Sequence, residues 1–186
     1  MTKSSIRLDQ FQNDQFDRGA PRSLEVLWLI CQSLFFGPLV PWPSALRAAL
    51  LRAFGAKIGE GLVIRSGVQM KFPWRFRCGD HVWIGESVRL LNLEVIELGD
   101  HVCLSQESFF CTGSHRFGTP GFDLITRPIV VGNHSWVGAR AFVGPGVEIG
   151  RDCFVTAGSV LSSDLPDSHR ARGNPAIAAP LEEKNS

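Results

Sequence analysis

The chain has no cysteine pair at redox or metal spacing, no excess of charge of either sign, and no apolar run long enough to span a bilayer. Its five cysteines (Cys31, Cys78, Cys103, Cys111 and Cys153) are odd in number and form no C-x-x-C. That speaks against a disulfide framework and for a reducing, cytoplasmic setting in which they fill small core positions. A formal charge of +1 over 186 residues, without a basic stripe, removes the electrostatic case for nucleic acid. No His/Cys/Asp/Glu group has metal-ligand spacing, so no metal is expected. P-loop, nucleophile elbow and dinucleotide fingerprint are all missing. The opening MTKSSIRLDQFQNDQFDRG is polar and mixed in charge and does not read as a signal peptide. The longest apolar stretch, residues 26–40, carries Gln32 and a Gly37-Pro38 break, and falls short of the roughly 20 residues a span needs. It reads either as a helix buried against the protein or a partner, or as one lying on the inner face of a membrane.

What is present is a repeat. From Val131 the chain divides into the hexads VGNHSW, VGARAF, VGPGVE, IGRDCF, VTAGSV and LSSDLP. The first position is always aliphatic (Val131, Val137, Val143, Ile149, Val155, Leu161), and the fifth is small or apolar. Neither the helical period of 3.6 nor strand alternation explains this spacing. The pattern recurs upstream, with IGEGLV at Ile58, IRSGVQ at Ile64 and MKFPWR at Met70 in one frame. CGDHVW and IGESVR resume after a two-residue slip, and LGDHVC and LSQESF after another, so the slips read as small bulges at corners. Each hexad is a short strand plus a turn, three hexads make a triangular coil, and coils stack at the usual strand spacing of about 4.8 Å.

The expected organisation is therefore a capping segment over residues 1–56, a parallel β-helix over 57–166 interrupted by a loop at 116–130, and a C-terminal segment over 167–186. In the cap, Ser23 is a candidate N-cap for SLEVLWLICQSLFF, and Ser44 for SALRAALLRAF, which stops at Gly55. Two such helices suit the open end of the first coil, which a repeat protein must cover. The polar tail after Pro180 is expected to fray.

The hexads are lost after FCTGSH, and His115 stands at that break. A rigid scaffold interrupted by a long loop is where function concentrates. His81, His101 and His134 occupy fourth positions of their hexads (GDH, GDH, GNH) and read as outward turn residues, and His169 as a surface residue. His115 alone departs from the pattern, and its position leaves catalysis and structure equally open.

The hexad array, TGSH before a loop, SWVGA, TAGSV and the closing RGNPA together resemble the hexapeptide-repeat acyltransferases. Within them the chain is similar to the sugar O-acetyltransferases, and most of all to those of colanic acid and related exopolysaccharide biosynthesis. That narrower likeness extends over IRLDQF, LRAALLRAFGAKIGEG, KFPWRFRCGDHVWIGE and SQESFFCTGSH. The resemblance implies a left-handed β-helix, a homotrimer, and transfer of acetyl from acetyl-CoA to a hydroxyl of a sugar or a lipid-linked oligosaccharide. His115 would be the general base. The pantetheine arm would lie between two subunits along Gly138, Ala139, Ala157, Gly158 and Ser159, flanked by Trp136, with Arg172, Gly173, Asn174 and Pro175 at its outer end. Trp136 suits core or interface packing equally well. Asn92, in a slip on an earlier coil, is a candidate acceptor ligand.

Two departures stand out. Relatives commonly carry an acid after the histidine, where this chain has Arg116. Either another group orients His115, or an anionic acceptor pairs with Arg116. The basic residue of maltose-type relatives after the proline motif is replaced by Ile177. Acyl transfer to an amine, on an amino sugar or a small xenobiotic, and a non-catalytic trimeric β-helix that only binds are the alternatives.

Overall fold

The computed structural model describes residues 6–13, 16–37 and 40–181. Five coils stack into a three-sided left-handed β-helix. The first coil holds β1 (Lys57–Ile58), β2 (Val63–Ile64) and β3 (Gln69–Met70), and the second β4 (Phe76–Cys78), β5 (Trp83–Ile84) and β6 (Arg89–Leu91). The third has β7 (Ile96–Leu98), β8 (Cys103–Leu104) and β9 (Phe109–Cys111), followed by an antiparallel hairpin, β10 (Gly113–His115) and β11 (Leu124–Thr126). The fourth is β12 (Ile129–Val131), β13 (Trp136–Val137) and β14 (Phe142–Val143), and the fifth β15 (Glu148–Ile149), β16 (Phe154–Val155) and β17 (Val160–Leu161). A closing hairpin, β18 (His169–Gly173) and β19 (Ala176–Pro180), joins the wall that holds β16. The C-terminal segment thus extends the β-helix, and the tail expected to fray lies largely outside the described residues.

The walls are parallel sheets: β1-β4-β7-β12-β15, then β2-β5-β8-β13-β16-β18-β19, then β3-β6-β9-β14-β17. We call them the first, second and third walls. The aliphatic first positions point inward and pair in columns. Ile64, Ile84, Leu104, Val137 and Val155 line the second wall, and Met70, Leu90, Phe110, Val143 and Leu161 the third. All ten are buried. The fifth positions from Ser135 to Ser159 are buried beside them, whereas Leu165, expected at a fifth position, takes a first-position slot bridged to Ile149 on the first wall, so the last hexad is shortened.

The fourth position decides the turn. His81, His101, His134, Arg140 and Asp152 all have φ between 55 and 59°, and Gly61 and Gly158 have 66 and 70°. This is the left-handed region, open to glycine and tolerated best by short polar residues. The second position has a different constraint. At the corner between the first and second walls, a Cβ on Gly79 or Gly99 would run into Oδ1 of Asp100 or Asn133 on the next coil. Those oxygens accept the N–H groups of Asp80 (2.8 Å) and Asp100 (3.0 Å). Asp80 does the same for Glu60 (2.7 Å) and Asp167 for Arg151 (2.8 Å).

Helices α1 (Arg22–Phe35) and α2 (Ser44–Ala53) close the open end of the first coil. Trp28 Nε1 donates to the Met70 carbonyl, and Gln32 Oε1 accepts the Met70 N–H. Arg47, only 3% exposed, donates to the carbonyls of Phe35 and Ile64. The expected serine caps do not form: Pro21 and Pro43 precede the helices, without side-chain caps. Proline's fixed φ suffices to start each helix, and Ser44 Oγ is instead bonded to the backbone of Ile64.

Glu25 locks α1 in place. Its buried carboxylate receives Arg18 at 2.8 Å and Lys71 at 3.1 Å. Burial alone would raise its pKa, but hydrogen bonds from Lys71 and Arg18 outweigh it and hold the carboxyl below its ordinary value. Stability from such a group is present above the unfolded pKa of about 4.3 and is lost as pH falls through the lower folded value. Glu25→Gln should therefore cost about 1–3 kcal/mol at neutral pH, with the difference from wild type shrinking below about pH 4. Urea titrations at both pH values check the sign. For the core, Val143→Asp should abolish cooperative folding, because it buries an unpaired charge at a position 0% exposed. A soluble variant with a sharp thermal transition would contradict the hexad frame.

Candidate active site

Every irregularity of the repeat falls at one corner, where the third wall turns into the first. The first slip is a short 3-10 turn, Pro73–Arg75. The second contains Asn92. The third is the excursion that carries His115. The expected loop at 116–130 is in fact the hairpin β10–β11, with Gly113 opposite Thr126 and His115 opposite Leu124, and β12 already resumes at Ile129. Thr112, fully buried, pins its base: Oγ1 donates to the Leu91 carbonyl (2.9 Å) and accepts the Glu94 N–H (2.9 Å). The Arg127 N–H donates to the Thr112 carbonyl at 2.9 Å.

Asn92 belongs to this scaffold and does not reach an acceptor. It is 0% exposed, its Oδ1 accepts the Phe72 N–H (2.9 Å), and its Nδ2 donates to the Phe72 carbonyl (2.6 Å). It joins the first slip to the second, a role that its polar type inside a repeat break does not distinguish from ligand binding.

His115 is held by the hairpin's own turn. Its Nδ1 lies 2.7 Å from the Phe122 carbonyl oxygen. A carbonyl only accepts, so Nδ1 carries the hydrogen, and the neutral ring keeps its lone pair on Nε2. The Phe122 ring stacks on the imidazole at 4.2 Å and 3°, and Phe11 meets it edge-on at 5.6 Å. Phe122 adopts φ 47°, an uncommon conformation for a bulky side chain. The group that fixes the ring is thus a backbone carbonyl seven residues away, and Arg116 takes no part in it. No residue type in the sequence could have flagged it. The adjoining Arg116 is exposed; its N–H donates to the Asp123 carbonyl.

Beside this hairpin lies a cavity of about 730 Å³, lined by Gln12, Asn13, Phe16, Asp17, Arg75, Glu94, Asp123, Leu124 and Thr126. Leu124 pairs with His115 across the hairpin and Thr126 with Gly113, so the cavity opens on the face that His115 shares. Sequence reading missed the cavity because its lining comes from four separated segments.

The other expected residues gather at a different corner, between the second and third walls. Ala139 and Gly158 lie there on successive coils, joined by the Gly158 N–H to the Ala139 carbonyl (2.8 Å). The β18–β19 turn, with Arg172, Gly173, Asn174 and Pro175 exposed, reaches the same corner, where Gly173 N–H donates to Ser159 Oγ (3.2 Å). Two assignments change in detail. Ser159 is buried, and its hydroxyl also bonds Thr156 Oγ1, so it braces the corner and offers nothing outward. The Gly138 N–H is taken by the Val155 carbonyl, and a Cβ there would meet Ala157 N at 2.6 Å.

At this corner the third-position N–H groups of Ser66, Glu86, Gln106, Ala139 and Ala157 find no acceptor among the described residues. The corner between the first and second walls fills such groups with Asp and Asn side chains; this one has no Asp or Asn to do so. It is an edge lined with free donors. Trp136, 49% exposed, stands on the second wall, stacked on Phe154 at 4.5 Å and donating to Ser105 Oγ (2.7 Å). The expected residues thus gather at two separate corners of one chain. The full width of the third wall separates His115 from the donor edge.

The family model for bacterial transferase hexapeptide (six repeats) matches residues 128–163. The chain is 42% identical over 155 residues to WcaF of Escherichia coli K12, a protein assigned to colanic acid biosynthesis as an acetyltransferase, covering 81% of this chain and 83% of that protein. It is 25% identical over 133 residues to galactoside O-acetyltransferase of the same organism, covering 69% and 65%. A hexapeptide-repeat acetyltransferase of Vibrio cholerae O1 biovar eltor, solved with acetyl coenzyme A, superposes with a TM-score of 0.80 at 26% identity, over 94% of this chain and 97% of that one. The chain belongs to the hexapeptide-repeat acetyltransferases. The alignment with the colanic acid protein is longer than the β-helix alone and so reaches into the cap.

The geometry makes a spectroscopic prediction. Long-range 15N–1H correlation spectra, recorded where imidazole is neutral, should show His115 as the Nδ1–H tautomer. His115 in the Nε2–H form would contradict the Phe122 hydrogen bond.

Proposed function

We propose that this chain transfers the acetyl group of acetyl-CoA to a hydroxyl of a sugar acceptor, with His115 as general base. The observation that carries this reading is the pinned imidazole, with Nδ1 tied to Phe122 and Nε2 left basic, beside a polar cavity. Nε2 takes the hydroxyl proton as the oxygen attacks the thioester carbonyl. The tetrahedral oxyanion is stabilised by a backbone donor, for which the unpaired Ala139 N–H is suited and the occupied Gly138 N–H is not. Collapse expels the CoA thiolate, which receives the proton from His115. Pantetheine amides fit the free donor edge at Ala139 and Ala157, and the acetyl-CoA complex of the Vibrio relative supports that donor.

The acceptor cavity supports a sugar. Phe16 offers an apolar face, and Gln12, Asn13, Asp17, Glu94 and Asp123 offer hydroxyl partners. Three carboxylates stand against Arg75, whose guanidinium is already bonded to the carbonyls of Leu93 and Asp17. This favours an uncharged acceptor over an anionic one paired with Arg116. The names of the colanic acid and galactoside relatives agree with a saccharide.

A trimer joins the two corners as half-sites. The outer column of the first wall is mostly charged (Lys57, Arg77, Glu97, Val130, Glu148) and suits solvent. The second wall presents Val63, Trp83, Cys103, Trp136 and Phe154, and the third is polar at Gln69 and Arg89 and apolar at Phe109, Phe142 and Val160. These largely apolar columns support packing about a three-fold axis, in a trimer that would bring one copy's His115 corner to the next copy's donor edge.

His115→Ala should lower turnover by roughly 10²–10⁴, read as thiol release from acetyl-CoA with an accepted sugar, while calorimetry shows CoA affinity nearly unchanged. His134→Ala, on the exposed turn column, should retain turnover. Joint loss of turnover and CoA binding in His115→Ala would make the histidine structural. Light scattering should report three chains per particle, and a monomer with full turnover would remove the shared site.

A further inference from the structure

The outer face of α1 is unexplained by the fold and by acetyl transfer. Glu25, Trp28 and Cys31 turn inward, whereas Val26, Leu27, Leu29, Ile30 and Leu34 are 57, 54, 43, 53 and 60% exposed. Trp42 extends the patch, 37% exposed, with its indole N–H on the Leu34 carbonyl. Part of the apolar stretch read from sequence, residues 38 and 39, lies outside the described residues. A helix apolar on both sides needs something on its outer side.

Charge points to the occupant. In residues 18–57 the exposed cations Arg22, Arg52 and Lys57 face no exposed carboxylate, Arg47 being buried and Arg18 paired with Glu25, while the rest of the chain is net acidic. Arg22 is exposed at the start of the same helix. A short aliphatic helix with cationic flanks suits an anionic bilayer surface. With 14 residues it lies on the surface; among the described residues no helix is long and apolar enough to cross a membrane.

We propose that α1 docks the protein on an anionic lipid bilayer through Val26, Leu27, Ile30 and Leu34. The inner face of α1 rests on Met70 of the first coil, and apart from Leu29, which borders a groove with Arg89 and Phe109, its outer face lies at the capped end of the β-helix. In the trimer proposed above, whose coil axes run side by side, three such faces share one plane and bind together where one would bind weakly. A second particle docked end to end would oppose two cationic caps, which disfavours a copy of this chain as the occupant. Such docking places the acceptor cavity close to lipid-borne saccharides, a consequence that rests on the acetyl-transfer reading.

The test is co-sedimentation of the full chain with vesicles of phosphatidylcholine alone or mixed with phosphatidylglycerol. Wild type should bind the mixed vesicles, and less so at high salt. A Leu27→Ser/Ile30→Ser double variant, altered only at exposed positions, should bind about tenfold more weakly, with unchanged melting, CoA affinity and thiol release. Arg22→Glu should weaken binding to the mixed vesicles alone. No vesicle binding by wild type, or equal binding by the double variant, overturns the proposal. So does a double-sized particle in light scattering that the double variant halves, since a second copy then covers the face. Failure of the acetyl-transfer reading would appear separately, as absent thiol release, and failure of the trimer as a wrong particle mass.

Discussion

The structure depends on how closely one coil can sit on the next. Backbone pairing sets the separation at about 4.8 Å, and every corner must turn within it. The fourth residue of each hexad enters the left-handed region to make that turn, as at His134 and Gly158. At one corner the second residue must lack a Cβ, because a side-chain oxygen from the following coil occupies that space, as Asp100 does over Gly79. The aliphatic first residue supplies burial, but it is the corner chemistry that keeps the coils in register. A slip of one residue would bring a β-branched side chain to a fourth position and leave the Asp and Asn acceptors facing no donor.

The three corners solve this problem in different ways, and the differences separate their tasks. Between the first and second walls, Asp80, Asp100, Asn133 and Asp167 close the spare backbone donors. That corner fills the donors of Glu60, Asp80, Asp100 and Arg151 and is structural. Between the second and third walls the equivalent positions are Ser66, Glu86, Gln106, Ala139 and Ala157, whose N–H groups find no acceptor among the described residues. Between the third and first walls the repeat is broken on three successive coils. Asn92 and Thr112 stitch the breaks together, and the room gained becomes a cavity and a mount for His115.

Much of this was legible in residue order. The aliphatic frame from Val131 to Leu161, the slips at corners and the helical cap are local signals of burial and turn chemistry, and they hold in the structure. The hairpin in place of a loop was not legible, because LITRP lacks the alternation that marks a strand, and β10 borrows its first residue from a glycine. Asn92 was a candidate ligand because a polar residue in a repeat break resembles one until its burial is known, whereas Ser159 stood in a regular hexad and was placed at the cofactor by the family resemblance alone; both are buried and bonded to the backbone or its neighbours. The Phe122 carbonyl was invisible in principle, since every residue carries one.

The histidines make the general point most directly. His81, His101 and His134 stack in a column at 5.1 and 5.2 Å, one per coil, each in a left-handed turn. They outnumber His115 and share its chemistry, yet they sit at the corner that Asp and Asn side chains bridge, and their rings face one another. His115 lies on a strand, with one nitrogen fixed by a carbonyl and its ring held between Phe122 and Phe11. Fixing one nitrogen decides which atom is basic, and the flanking rings limit how far the imidazole can turn. As the base we propose, His115 would meet its substrate already oriented, which is the larger part of what positioning contributes to a proton transfer. The broken repeat gives His115 what no regular hexad provides, a side chain held by something other than the stack.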